Sequence, residues 1–271
     1  MLLNKIHDIT SYQEIVDRYK RKGCRTNDYI YNEAFKLIEQ GCLFYHCGFS
    51  NAYFFVKKDG CQRVFYYLND LEEKCNFDVE DDLVVEILFR ESFGMPDEEI
   101  GFLQNCGFLP HLRRDQYCGI YKDLTSPQHI PNVIVRKAQT LDEVLMACDL
   151  FNNTFDRYTG DYIAEQKAFS LYDNGDVWIA TDNNGRFAGA LHQTNEHNVS
   201  WISHVAVLPA FRGRGLGQAL LDTFVEQNKV DDKSSYMLWV QAQNESALTM
   251  YQKKGFKYMN KSTISLLKLK K

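Results

Sequence analysis

The second half of the chain alternates between two hydrophobic periods, one of two residues and one of three to four, so it reads as short strands interleaved with amphipathic helices. Residues 133–138 are short and β-rich, and Thr140 and Asp142 are placed to cap a helix over 141–151. A second helical stretch covers 161–171. Strands follow at 176–181, 186–192 and 199–208, separated by Asp182-Asn183-Asn184-Gly185 and by a turn at 195–198, which predicts an antiparallel meander. A helix over 215–227, a strand over 236–241, a helix over 244–254 and two closing strands at 256–259 and 263–269 complete the order βααβββαβαββ. The first half is less regular, with helical patterns at 12–20 and 29–39 and β-rich runs at 43–47, 52–57, 63–68 and 83–90. Pro96-Asp97-Glu98-Glu99 then opens a helix with proline and acids in its first turn. Cys106-Gly107-Phe108 stops that helix before two further strands, and Lys254-Gly255-Phe256 repeats the plan near the other end. That echo suggests a duplication.

Between Tyr121 and Val133 lies a segment with two prolines and little periodicity, which places a domain boundary near residue 126. The expected domains are residues 1–125 and 126–271, in line with a length of 271 residues. The expected class is mixed α/β (α+β), a mostly antiparallel sheet flanked by helices, in tandem.

Composition narrows the function classes. With 45% hydrophobic and 25% charged residues, no apolar run of the roughly 20 residues a membrane span needs and no leader pattern, the expected location is cytoplasmic, without a membrane partner. A net charge of -5 offers nothing to attract a phosphate backbone, so nucleic acid is not an expected partner. The eight cysteines include no C-x-x-C pair and read as reduced, packed thiols, and no metal site is expected.

The strongest chemical signal is Val205-Ala206-Val207-Leu208-Pro209 followed by Arg212-Gly213-Arg214-Gly215-Leu216-Gly217 and a helix with Leu216, Leu220 and Phe224 on one stripe. Strand, glycine loop and helix N-terminus form an anion-binding arrangement, because glycines let backbone N–H groups approach phosphate oxygens and the first helical turn turns positive partial charge toward them. Neither the P-loop nor the dinucleotide fingerprint fits. Arg212, Gly215 and Gly217 match the R/Q-x-x-G-x-G/A signature of the GNAT superfamily. Asn244, Ala247, Tyr251, Gly255 and Phe256 match its N-x-x-A-x-x-x-Y-x-x-x-G-F. Residues 133–269 resemble that family in element order, whereas the first 125 residues lack the loop signature and are expected to be a degenerate copy that shapes the acceptor site.

The resemblance implies that acetyl-CoA is the cosubstrate and an amine the acceptor. It assigns Val205, Ala206 and Val207 to the pantetheine arm and the N–H groups of Arg212, Gly213, Arg214, Gly215, Leu216, Gly217 and Gln218 to the pyrophosphate. Asn244 is assigned to the arm or its sulfur end. Asn244 and Tyr251 are seven residues apart, close to two helical turns, so both address one ligand. A phenol of pKa about 10 at Tyr251 suits donation to a leaving thiolate whose conjugate acid lies at about 8.5. The family often carries a basic glutamate where this chain has Ser203. His204 is the adjacent candidate base, with alternation placing it on the face of Ile202 and Ala206, and His192 and Glu196 are further candidates. Arg113 and Arg114 read as a charged turn between strands, and Tyr53, Phe54, Phe55, Phe65, Tyr66 and Tyr67 as packed strand faces. Two function classes stay open at this point: an N-acetyltransferase acting by direct attack in a ternary complex, and a non-catalytic acyl-CoA-binding module.

Overall fold

The computed structural model describes residues 1–128, 130–196 and 199–270. The chain divides into two compact units, one made of residues 1–113 and 261–271, the other of residues 114–260. This corrects the expected cut near residue 126. The chain changes unit inside two long strands, and the proline-containing segment (of which His129 lies outside the described residues) belongs wholly to the second unit.

Unit 1 contains β1 (Asn4–Lys5), α1 (Ile9–Tyr19), β2 (Arg25–Thr26), α2 (Ala34–Glu39), β3 (Leu43–Cys47), β4 (Ala52–Lys58), β5 (Cys61–Leu68), β6 (Leu83–Phe89), α3 (Asp97–Asn105) and the start of β7 (Leu109–Ile120). Asp8 caps α1 by accepting from the Ser11 N–H at 2.8 Å. The helix expected over 29–39 forms only from Ala34. β4 and β5 are buried on both faces. Tyr53, Phe55, Val64 and Tyr66 pack toward Phe102 and Leu103 of α3, while Phe54, Val56, Phe65 and Tyr67 pack toward Tyr12 and Val16 of α1. Double burial explains why these strands read as unbroken aromatic and aliphatic runs. The aromatics are core.

Unit 2 continues with β8 (Val133–Lys137), α4 (Leu141–Thr154), α5 (Glu165–Asn174), β9 (Val177–Asp182), β10 (Phe187–Glu196), β11 (Val199–Val207), α6 (Leu216–Gln227), β12 (Ser235–Gln241), α7 (Glu245–Lys254) and the start of β13 (Lys257–Lys268). Thr140 caps α4 by accepting from the Glu143 N–H at 3.2 Å. The helix expected from residue 161 starts at Glu165, and of the expected 195–198 turn, His197 and Asn198 lie outside the described residues. The sheet runs β7-β12-β11-β10-β9-β8, antiparallel except for the β11/β12 pair. α6 and α7 cover one face, with Leu220 and Phe224 of α6 packed against Ile202 and Leu238, and α4 and α5 cover the other, over Ile179, Ala190 and Ala206.

The two closing strands expected at 256–269 are a single strand. Asn260 sits inside β13 at φ 53°, a left-handed conformation that asparagine tolerates, so the strand passes through the polar stretch around it without ending. Likewise Arg113 and Arg114 lie within β7, not in a turn. Among the described residues no helix is long and apolar enough to cross a membrane.

Candidate active site

β11 and β12 pair in parallel from Val199↔Ser235 to Ile202↔Leu238 and then part. Beyond that point β11 remains bound to β10, and β12 to β7, so the sheet forks. Ser203 is an extra residue in β11: His192 faces His204 while the next residue of β10, Gln193, faces Ile202. A bulge of this kind shifts the two-residue alternation by one. Ile202 therefore packs with Val205 and Val207 toward α6 and α7, whereas His204 and Ala206 turn to the α4 side. The expectation that Ile202 and His204 share a face is corrected by this one residue.

Main-chain groups follow the same phase. The Leu208 N–H donates to the Ala188 carbonyl on β10 at 2.9 Å. By alternation Val207 and Val205 point their N–H and C=O groups the other way, into the fork. Arg212 Nε donates to the Val207 carbonyl from that side at 3.1 Å. Ala206 does not belong to this set. Its carbonyl lies 2.8 Å from where a Cβ on Gly189 would sit, so it addresses β10, and its side chain is buried.

The fork leads to the glycine loop. A short 3-10 turn at Pro209–Phe211 is followed by Gly213 at φ 73° and Gly215 at φ 81°, and α6 begins at Leu216. Gly215 is the N-cap and no side chain of the described residues caps the helix, which leaves the first-turn N–H groups of Leu216, Gly217 and Gln218 directed outward. A side chain at 215 is disfavoured twice, by the left-handed φ and by the Ile130 side chain, which lies 3.0 Å from the Cβ position and would have to yield. Gly217 lies 3.2 Å, measured the same way, from the Met250 sulfur and so lets α6 and α7 approach. Arg214 is exposed, its guanidinium 5.5 Å from the Phe211 ring centroid.

A cavity of about 460 Å³ opens at the fork, lined by five consecutive β11 residues from Trp201 to Val205, by Trp239 to Gln241 of β12, and by Asn244 and Tyr251 of α7. Asn244 caps α7, its Oδ1 accepting from the Ala247 N–H and the Ser246 hydroxyl, both at 3.1 Å. Only its Nδ2 remains to serve a ligand. Tyr251 is buried, and that burial raises its phenol above the ordinary value.

His204 stacks on Phe151 with centroids 5.1 Å apart and meets His192 Nδ1 to Nδ1 at 3.0 Å. Burial pushes His204 down to about 4, and burial reinforced by His204 pushes His192 down to about 3. Both rings are neutral near pH 7 and accept a proton poorly, which argues against His204 as the base. Sequence reasoning passed over Arg114 and Asp161, which also line the cavity: Arg114 Nη1 lies 3.3 Å from Asp161 Oδ1, and the Thr159 hydroxyl donates to Asp161 Oδ2 at 2.8 Å. Arg114 was disguised as part of a charged turn and Asp161 as a helix start. Glu196, also on the wall, is exposed.

Residues 173–258 match the family model described as acetyltransferase (GNAT) domain. The chain contains a GNAT domain. The chain is 36% identical over 61 residues to an uncharacterized N-acetyltransferase of Methanocaldococcus jannaschii, covering 22% of this chain and 27% of the relative. It is 32% identical over 106 residues to a mycothiol acetyltransferase of a Mycobacterium species, covering 36% and 35%. The chain thus spans about a quarter to a third of the length of these curated relatives. A solved structure described as a tandem GNAT protein from the clavulanic acid biosynthesis pathway aligns over 100% of this chain and 98% of its own, with TM-score 0.59 at 12% identity. That likeness is one of fold, and it extends the GNAT-like plan to unit 1. The forked pair β11/β12, the glycine loop and Tyr251 all fall within the GNAT domain's matched span.

Proposed function

We propose that unit 2 is an acyl-CoA-dependent N-acyltransferase that moves an acetyl group from acetyl-CoA to a primary amine by direct attack in a ternary complex. The observation that carries this reading is the fork itself: the outward main chain of Val205 and Val207 leads at one end to the glycine loop and α6 N-terminus, and at the other to the cavity holding Tyr251. In that arrangement the Val205 and Val207 main chain holds the pantetheine amides, and the N–H groups of the loop and of residues 216–218 hold the pyrophosphate. The Asn244 amide donates to the arm. When the amine nitrogen forms its bond to the thioester carbonyl carbon and the carbon–sulfur bond breaks, Tyr251 gives its proton to the departing sulfur, and the proton shed by the acylated nitrogen returns through solvent to the Tyr251 oxygen, leaving a neutral amide and a free thiol. The ammonium proton leaves beforehand to solvent along the wall that carries exposed Glu196, the neutral His192–His204 pair being too weakly basic to take it.

The test is titration calorimetry of the whole chain with acetyl-CoA, followed by thiol release with a panel of primary amines. Micromolar binding and amine-dependent release support the proposal; absence of both overturns it. Arg214→Glu is the loop variant of choice, since Arg214 is exposed and its loss leaves the backbone unstrained. It is expected to weaken coenzyme binding by about tenfold or more, equivalent to about 1.4 kcal/mol.

A further inference from the structure

Unit 1 has a fork of its own. Its parallel pair is β5 and β6, joined only at Gln62↔Leu83, Arg63↔Val84 and Val64↔Val85, after which the strands part just as β11 and β12 do. Here the opening is filled by the chain. β2 pairs antiparallel with the far half of β5, Arg25 opposite Leu68 and Thr26 opposite Tyr67. The next residue, buried Asn27, sits where the arms divide. Its Nδ2 donates to the Val64 carbonyl on one arm at 3.1 Å and to the Glu86 carbonyl on the other at 3.0 Å, and its Oδ1 accepts from the Tyr66 N–H at 2.8 Å. Counting from the last paired residues, Val64 and Ile202, and allowing for the extra Ser203, Tyr66 stands where Val205 stands and Leu68 where Val207 stands.

Both flanks of this segment are anchored. Arg25 pairs with Glu98 and, at 3.8 Å, with Glu99 in the first turn of α3. Asp28 accepts from the hydroxyls of Tyr12 at 3.0 Å and Tyr67 at 2.5 Å and from the Ile30 N–H at 3.0 Å. The connection from β5 to β6, residues 69–82, occupies the place that the glycine loop and α6 hold in unit 2. It forms no helix and carries seven acidic residues against one lysine. One of its carboxylates, that of Glu73, takes the N–H groups of Phe49, Ser50 and Asn51 at 2.6 to 3.0 Å. A pyrophosphate meets negative charge there and no helix N-terminus.

We propose that residues 25–27 are a built-in occupant of the unit 1 fork, a strand and a carboxamide standing in for the amides of a pantetheine arm. Unit 1 is then a sealed copy, and the chain takes one acyl-CoA, not two. The comparison with pantetheine rests on the reading of the unit 2 fork proposed above; the occupancy of the unit 1 fork does not.

The experiment combines titration of the whole chain with acetyl-CoA and amide hydrogen exchange, with and without saturating acetyl-CoA, in the unsubstituted chain and in Asn27→Ala. The expected results are one equivalent bound, slowed exchange at Val205 and Val207 on binding, and a protected Tyr66 amide that coenzyme does not alter. In Asn27→Ala the Tyr66 amide is expected to exchange at least about tenfold faster. Two equivalents, a Tyr66 amide that responds to acetyl-CoA, or equal Tyr66 exchange in the two chains overturns the proposal. If no coenzyme binds at all, the function proposed for unit 2 fails, and Tyr66 exchange alone decides whether Asn27 fills the fork. Should Asn27→Ala not fold, stoichiometry and the coenzyme response of Tyr66 in the unsubstituted chain carry the decision.

Discussion

Tyr251 keeps its proton because burial raises the phenol above its ordinary pKa, so it is in the donor form at any physiological pH. Tyr251→Phe removes one hydroxyl without opening a cavity. It is expected to lower turnover by about 10² to 10⁴ at saturating amine while leaving the calorimetric affinity for acetyl-CoA unchanged. Equal turnover would remove Tyr251 from the acid role. The histidine pair has its effect on stability. His192 and His204 titrate at about 3 and about 4 in the folded chain, against about 6.5 when unfolded. Between these values the unfolded chain holds more protons than the folded one, so stability falls as pH drops from about 6.5 toward 4, by at most about 1.4 kcal/mol per pH unit for each ring. Urea denaturation of the whole chain at pH 7, 6 and 5 should show the midpoint falling, and His192→Gln should flatten that slope. At this scale the strand-to-helix glycine turn and the shared cavity of Asn244 and Tyr251 were readable, because glycine content and helical spacing fix them. Ser203 was not, since a bulge is visible only once the register with β10 is known.

At the scale of elements, the most informative contact is the buried pair Lys254–Asp222, which joins α7 to α6 at 2.7 Å. Lys254 Nζ also donates to the Thr125 carbonyl at 2.7 Å, and Asp222 accepts from the Gln128 N–H at 3.0 Å and from Gln218 Nε2 at 2.8 Å. Two helices and the proline-containing segment meet at one ion pair. Lys254→Met strands the carboxylate in the interior and is expected to cost about 3 to 5 kcal/mol in denaturant unfolding. Adding Asp222→Asn, which keeps an acceptor for Gln128, should restore most of the loss; a double variant as unstable as the single one would show that packing, not charge, sets the cost. Strands β4 and β5 were legible from composition because double burial writes nearly continuous apolar runs. Helix starts were less so: periodicity extends through residues 161–164, yet Asp161 is engaged with Thr159 and Arg114, and α5 waits until Glu165.

At the scale of the whole molecule the two units repeat one plan, a helix, Gly-Phe and a twelve-residue strand, at α3–β7 and at α7–β13. Each strand is completed in the other unit: residues 114–120 pair with β12 in unit 2, and residues 262–268 pair with β6 in unit 1. A boundary near 126 looked natural because prolines and lost periodicity mark linkers, but sequence pattern carries no sign of a strand's partner. A fragment of residues 126–271 leaves the β12 edge unpaired and keeps a strand whose partner is missing. It is expected to aggregate, whereas residues 114–260 should give a monomer with a cooperative melt, as read by light scattering and circular dichroism. Equal behaviour of the two fragments would show the exchanged strands to be dispensable.

The exchange also bears on how the protein is made. β6 and the strand that completes its sheet are about 180 residues apart in the chain, with all of unit 2 between them. On a ribosome, unit 1 emerges first yet waits with one edge of β6 open until synthesis has passed Lys268, a long exposure of a strand that pairs readily with other chains. Premature termination between residues 260 and 268 would therefore damage the opposite end of the sequence from the lesion, and chaperone dependence should concentrate on nascent unit 1. The half that is translated first is the half that is finished last.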